Sequence, residues 1–233
     1  MWIPDPFRGD ASRLCRARLT GLPEFDGWVA KLKETALNEI AGYQLARAVG
    51  LGVMDSRWFV AERSLEAPGI RLDRGDAGIL ISRVSGAEGV NLRELAGLEP
   101  ETVAHVCAFF VLDRGEWPEP WRVAGRLCLI DLEMMLARFA SRADYRRKHL
   151  EEYAEMTPYA LQYAVIEAAR CGVRPEFVAE LARWHERFSG HAFAFDFSGH
   201  RRGAVIADFL LRSLRLRLHL VAGILNFGHS AIV

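Results

Sequence analysis

The chain has 233 residues, 51% apolar and 26% charged, ordinary proportions for a globular protein of one large domain or two small packed lobes. Its 30 basic residues balance 30 acidic ones, so no global field selects nucleic acid or an anionic membrane, and the low net charge mildly favours self-association into a homo-oligomer. Cys15, Cys107, Cys128 and Cys171 lack paired spacing, which argues against a disulfide framework; the absence of a signal-like N-terminus and of any apolar run near ~18 residues leaves a cytoplasmic protein without a transmembrane segment as the expectation.

In chain order, "SRLCRARLTG" (Ser12 to Gly21) alternates polar and apolar residues with the period of a strand. The turn-rich "LPEFDG" leads to a second strand, "WVAKLK", with Lys31 and Lys33 on one face, so the pair reads as a hairpin. "TALNEIAGYQLARAVG" then switches to helical spacing. Leu37, Ile40, Ala41, Leu45, Ala48 and Val49 form its stripe, with Thr35 as N-cap and Gly50 as the stop. "DSRWFVAERS" and "AGILISRVSG" are two further strands.

From about Asn91 the pattern turns helical. "EPETVAHVCAFFVLD" is one helix, and the insert "RGEWPEPWRVAGRLCLID" holds a strand pair whose run Leu127 to Ile130 reads as buried. Helices are then expected over Glu133–Ala140, Ala143–Tyr153, Pro158–Cys171, Glu176–Phe188 and Gly203–Leu225. In the last of these, alternating leucines and arginines leave a strand as the competitor. A β-rich N-terminal part joined to a helical C-terminal part puts the expected ligand cleft near Ser82–Gly89.

Phosphoryl transfer from a nucleotide requires a cation on the phosphates, a carboxylate to hold that cation, metal ligands, and a base near the acceptor. The chain supplies such groups in order. Lys31 lies in the strand texture Trp28-Val29-Ala30-Lys31, Glu39 follows early in the next helix, Asp113 ends an apolar helix, and Asp131 ends "LCLID". Only three of the basic residues are lysine, and two of them, Lys31 and Lys33, sit on this one strand. A compact ammonium meets phosphate as a point charge in a tight cleft where a planar guanidinium does not fit.

Together these features resemble the atypical kinases of the HipA-like and phosphatidylinositol-kinase-like group. The matching elements are Lys31, the "NE" pair Asn38-Glu39, the helix ending Leu45-Ala46-Arg47-Ala48-Val49-Gly50-Leu51, the turn Leu112-Asp113-Arg114 and the run Leu127-Cys128-Leu129-Ile130-Asp131-Leu132-Glu133. The resemblance spans Gly9 to Leu136, and no motif matches beyond it. It implies an α+β, bilobal, protein-kinase-like fold, with a nucleotide-binding lobe over 1–85 and a helical lobe over 86–233 carrying the catalytic and metal motifs.

It also implies ATP and Mg²⁺ as cofactors. Lys31 would contact the α/β-phosphates, Glu39 would orient it, and Asp113 would be the catalytic base. Asp131, with Glu119, would hold the metal. Ser12, in the covering loop "RGDASR", and Ile81 and Arg83, at the connection between lobes, complete the nucleotide site. The acceptor, whether protein, peptide or small molecule, is not specified. One departure stands out: the family pattern sets an asparagine about five residues after the catalytic aspartate, and here Pro118 occupies that spacing. Glu116 or Glu119 can supply an oxygen instead, or the loop has lost metal binding and the chain is a pseudokinase with a regulatory or scaffolding role. A non-enzymatic helical interaction protein is the remaining alternative.

Each residue also has a plainer reading. Lys31 suits a surface edge strand, Glu39 a helix first turn, Asp113 a turn cap, and Asp131 a helix cap. His185, His191, Asp196 and His200, around a twice-occurring "FSGH", could ligate zinc, though exposed loop histidines are commoner. Arg201, Arg202, Arg212, Arg215 and Arg217 suit an anionic partner or, more often, the solvated face of a terminal helix. Trp117 and Trp121, flanking Pro118 and Pro120, fit a substrate platform or a rigid packed loop.

Overall fold

The computed structural model describes residues 2–4, 17–19, 29–32, 34–67, 70–82, 88–89, 99–100, 102–104, 119–123, 125–130, 132, 136–140, 142–190 and 193–231. The fold is α+β. Strands β1 (Trp2–Pro4), β2 (Ala17–Leu19), β3 (Val29–Leu32), β4 (Ser56–Val60) and β7 (Ala77–Ile81) form one antiparallel sheet in the order β1-β2-β3-β7-β4. A separate hairpin pairs β5 (Leu65–Ala67) with β6 (Ile70–Leu72), and a three-stranded sheet orders β10 (Arg126–Ile130), β9 (Glu119–Val123) and β8 (Glu88–Gly89). The strand pair expected in the insert is therefore present, and β1, β8 and the β5–β6 hairpin are additions to the sequence reading.

Helix α1 (Glu34–Val49) follows β3 directly and packs on β3 and β7. It starts one residue before Thr35, which is therefore helical rather than a cap. Its end matches expectation. Gly50 takes φ +83°, its N–H bonds to Arg47 O at 3.1 Å, and Leu51 N–H bonds to Ala46 O at 2.9 Å, a Schellman closure that a residue without Cβ adopts cheaply. Burial is not a single stripe: Ala36 through Tyr43, Leu45 and Ala46 are all buried, so α1 is enclosed on nearly every side.

Three long helices complete the chain: α2 (Ala143–Arg170), α3 (Arg174–Gly190) and α4 (Gly203–Ala231), with α2 and α3 both packed on α4. Two sequence expectations change here. The helices expected over 143–153 and 158–171 are one helix that runs through Pro158. A mid-helix proline costs ~3 kcal/mol or more. Here Thr157 Oγ1 donates to Tyr153 O at 3.0 Å, and burial of Tyr153, Leu161, Ala164 and Ala168 holds the helix to the core on both sides of the proline. The helix expected over Glu133–Ala140 is absent at 136–140, where the backbone is irregular and Leu136 takes φ 61°. The final segment is helix, and its leucine–arginine alternation is not a strand.

A single hydrophobic cluster runs from α1 and the five-stranded sheet through Leu129, Leu132 and Leu136 into α2, α3 and α4. The connection between α1 and β4 meets β10 through a parallel bridge, Val53 to Leu129, and through Leu129 N–H donating to Gly52 O at 2.8 Å. Trp121 packs against this cluster, the packed-loop alternative for that residue; Trp117 lies outside the described residues. Cys128 and Cys171 are half-buried thiols, and burial pushes the Cys128 thiol up, opposed in part by Arg126. No described helix is long and apolar enough to cross a membrane.

Arg217 departs from the solvated-face expectation. It is fully buried, with its guanidinium carbon 3.9 Å from the centre of the Tyr153 ring, whereas Arg215 on the same helix is exposed. Truncating a buried side chain of that size leaves a cavity and strands the groups that faced the charge. Arg217→Ala should therefore lower unfolding free energy by about 3 kcal/mol, against about 0.5 kcal/mol or less for Arg215→Ala, as read by urea denaturation.

Candidate functional site

Lys31 sits mid-strand on β3, which is flanked by β2 and β7 and is an interior strand. The edge-strand reading therefore fails, and the residue is only 4% exposed. Such an ammonium needs a partner at hydrogen-bond distance, because its desolvation otherwise costs several kcal/mol. Glu39, 0% exposed, provides it: Lys31 Nζ donates to Glu39 Oε2 at 2.8 Å. Glu39 is thus not a first-turn dipole partner. Lys33 lies outside the described residues.

The second carboxylate oxygen has its own task. Leu132 N–H donates to Glu39 Oε1 at 3.2 Å. One buried carboxylate therefore holds both the strand lysine and the backbone amide of the residue that follows Asp131 in sequence. Asn38, its neighbour on α1, grips the same chain segment further on: Asn38 Nδ2 donates to Ala137 O at 3.1 Å, and Phe139 N–H donates to Asn38 Oδ1 at 3.1 Å. From the opposite side, Ala137 N–H donates to Ser213 Oγ of α4 at 2.8 Å. These bonds occupy amides that a helix over 136–140 would use internally, and with the left-handed Leu136 they explain why a segment of helix-forming composition is not helical.

Gly42 explains how α1 comes this close. A Cβ there would lie 2.5 Å from Leu132 Cβ and 2.7 Å from Leu132 O. Asn38 and Gly42, spaced i and i+4, therefore form the contact face of α1 toward 132–139. Sequence reasoning singled out the "NE" pair without assigning a task to asparagine, and it missed Gly42 and Ser213. The signal for Gly42 was a glycine inside a strong helical pattern, which costs ~1 kcal/mol relative to alanine and so marks a close approach.

The strand register places Ile81 near the pair. Lys31 is opposite Ile79 and Val29 is opposite Ile81, so Lys31 and Ile81 share one face of the sheet. Ile81 is half-buried, and Ser82 after it donates its backbone N–H to Asp55 O at 2.8 Å. The Ser82 hydroxyl is buried without a hydrogen-bond partner among the described residues. Glu119 opens β9, with its backbone directly opposite Ile130, the residue before Asp131; its side chain is outside the description. Ser12, Arg83, Asp113 and Asp131 lie outside the described residues, as do Glu116 and Pro118. Of the expected site residues, the structure brings together Lys31 and Glu39 and puts Ile81 on their sheet face.

The histidine grouping does not form a metal centre among the described residues. Asp196 is engaged locally: its Oδ1 accepts from Ser198 N–H at 2.9 Å and from Ser198 Oγ at 2.5 Å, which hold its carboxyl below the ordinary value. His185 Nε2 lies 3.5 Å from Ser189 Oγ, and His200 Nδ1 accepts from Arg202 N–H at 3.0 Å; His191 is outside the description. The arginines divide. Arg212 pairs with Asp208 at 2.9 Å on the surface, Arg201 pairs with Asp76 at 3.3 Å, and Arg202 and Arg146 lie 5.3 Å and 5.5 Å from the Phe139 ring centre.

No protein-family model and no curated protein matches this chain.

Two outcomes follow from the geometry. Gly42→Ala forces α1 and Leu132 apart, and should cost about 1–3 kcal/mol in chemical denaturation, with faster amide exchange at Leu132. His200 is held below 6.5, chiefly by burial and then by Arg201 and Arg202, with Asp76 opposing. Its folded value is depressed, so the neutral ring's contribution is whole above about pH 6.5 and is lost as pH falls through the folded value. The melting temperature of the natural chain should drop between pH 7.5 and 5.5 more steeply than that of His200→Asn.

Proposed function

We propose that this chain is an ATP- and Mg²⁺-dependent phosphotransferase of the HipA-like and phosphatidylinositol-kinase-like kind, with a bilobal, kinase-like architecture. The observation that carries the reading is the buried 2.8 Å pair between Lys31 and Glu39, with the other Glu39 oxygen on Leu132 N–H. A strand lysine fixed by a glutamate on the next helix is the part of a kinase site that must be in place before phosphoryl transfer. The element order around it supports the same reading: an antiparallel sheet, with α1 entering after β3 and leaving toward β4.

In this reading Lys31 presents a fixed positive charge to the nucleotide phosphates. Glu39 holds its rotamer and ties the segment after Asp131 to α1. Asp131 and Glu119 would hold the metal, which would supply positive charge beside the phosphates. Asp113 positions the acceptor hydroxyl and takes its proton. Ser12, Ile81 and Arg83 line the nucleotide. The surrounding chemistry suits these tasks: Ile81 offers an apolar surface on the lysine's own sheet face, and the 2.8 Å contact with Glu39 fixes where the ammonium sits.

Pro118 at the expected asparagine spacing favours one second reading, a pseudokinase that binds nucleotide without transferring its phosphoryl group. Calorimetric titration of ATP with and without Mg²⁺ separates the two. The kinase reading expects Mg²⁺-dependent binding, weakened at least about tenfold (~1.4 kcal/mol) in Lys31→Arg, which keeps a cation beside Glu39 but exchanges a point charge for a bulkier planar one. It also expects the Mg²⁺ dependence to vanish in Asp131→Asn. Binding indifferent to Mg²⁺ would favour the pseudokinase. No binding by the folded natural chain would reject both readings and leave the helical interaction protein.

A further inference from the structure

Residues 193–202, between α3 and α4, form a strap that touches three other parts of the molecule. On the helical side it is fastened by aromatic edges. The Trp184–Phe188, Phe188–Phe193 and Phe193–Phe195 pairs stack edge-to-face at 5.5, 5.3 and 4.9 Å between centres, and Phe195 and Phe197 are buried. On α1 it meets Gln44 in a reciprocal pair: Gln44 Nε2 donates to Asp196 O at 2.8 Å, and Asp196 N–H donates to Gln44 Oε1 at 2.9 Å. Beyond that it reaches the turn between β6 and β7, where Arg201 pairs with Asp76 at 3.3 Å and lies along Gly75, and where Gly199 passes over Val60.

The Gln44 pair satisfies both backbone groups of one strap residue from one side chain, so it fixes distance and orientation together, as a strand pairing does. Asp196 is held for this by its own turn with Ser198. Gln44 stands five positions after Glu39 on α1, about 7–8 Å along the axis. A helix of 16 residues held at that point cannot tilt or slide without moving Glu39 relative to Lys31. The Arg201–Asp76 contact restrains β7, the strand beside Lys31, through the same segment.

We propose that the 193–202 strap is a latch that sets the position of α1, and that Gln44 is a positioning residue for the Lys31–Glu39 pair. The helical part of the chain thereby reports on, and biases, the state of the lysine on the sheet. Displacing the strap releases α1 and opens the pair. Only the consequence for nucleotide affinity rests on the function proposed above; the mechanical link does not.

The test uses the chain's shortage of lysine. Lys31, Lys33 and Lys148 are the only side-chain amines, and Lys148, with a side chain 67% exposed, serves as internal reference. The full-length protein is treated with an N-hydroxysuccinimide ester of acetate, and labelling is followed by peptide mass spectrometry, beside hydrogen exchange of α1 and α2. The natural chain should label at Lys31 much more slowly than at Lys148. In Gln44→Ala, Lys31 labelling should rise several-fold relative to Lys148, with faster exchange in α1 and unchanged exchange in α2.

Gln44→Glu keeps the acceptor for Asp196 N–H but sets a carboxylate against Asp196 O. It should give an effect in the same direction, and it decides the matter if Gln44→Ala does not fold. Lys31 labelling that stays at the natural rate in a folded variant overturns the latch, as does exchange that rises equally in α1 and α2. If the natural chain binds no ATP yet Lys31 labelling responds to Gln44, the latch stands and the phosphotransferase reading falls. If ATP binds and labelling does not respond, the reverse holds.

Discussion

One buried carboxylate governs the arrangement of this molecule. Glu39 and Lys31 are both withdrawn from water, and removing two such charges from solvent costs several kcal/mol per ion before any attraction is counted. Short contact recovers that cost only if the remaining polar atoms are also bonded. The 2.8 Å contact and the Leu132 amide on the second oxygen meet that condition from the carboxylate's side. The pair in turn dictates much else: β3 has to lie inside the sheet, α1 has to start at once after it, and the chain leaving β10 has to return under α1.

Helix α1 meets these demands with four polar or small positions inside an apolar sequence. Asn38 and Gly42 face the 132–139 segment, Glu39 faces β3, and Gln44 faces the strap. Such a helix cannot be strongly amphipathic, because it has partners around most of its circumference. Its unbroken burial from Ala36 to Tyr43, polar Asn38 and Glu39 included, follows from that placement, and among its described side chains only Arg47, in the C-terminal turn, reaches solvent fully.

Much of the α+β layout was legible because the local signals were strong. Strands β3, β4 and β7, the β9–β10 pair and the helices after Ala143 follow from apolar periodicity, and the end of α1 from Gly50. The misreadings have specific causes. Pro158 looks like a boundary, but the proline penalty was outweighed by tertiary burial on both sides of it. The stretch after Leu132 has helical composition, but its backbone groups are claimed by Asn38 and Ser213, residues 99 and 76 positions away for Ala137, and no local window registers such partners. Arg217 lies in an arginine-rich run whose other members suit solvent, and only the packing of α2 against α4 shows that one of them is enclosed. At the site, Lys31 and Glu39 were legible because their spacing fits a strand followed by a helix. The tasks of Gly42 and Gln44 depend on what passes nearby, which the sequence does not encode locally.

In the proposed phosphotransferase reading, the pairing of Lys31 also constrains the ligand. Lys31 and Glu39, 2.8 Å apart, together carry nearly zero net charge, so the pair orients an anion better than it attracts one. A triphosphate carries several negative charges, and in a low-dielectric cleft each uncompensated one is expensive. Such a ligand therefore has to bring its own compensation, and a divalent cation is the simplest form. On the proposed reading this makes Mg²⁺ dependence the informative property: the Lys31–Glu39 pair by itself adds little net charge with which to capture a bare triphosphate. On that reading it also accounts for lysine at this position in a chain that has only two other lysines, Lys33 and Lys148. The ammonium meets Glu39 from one compact point, whereas a guanidinium spreads its donors across a rigid plane.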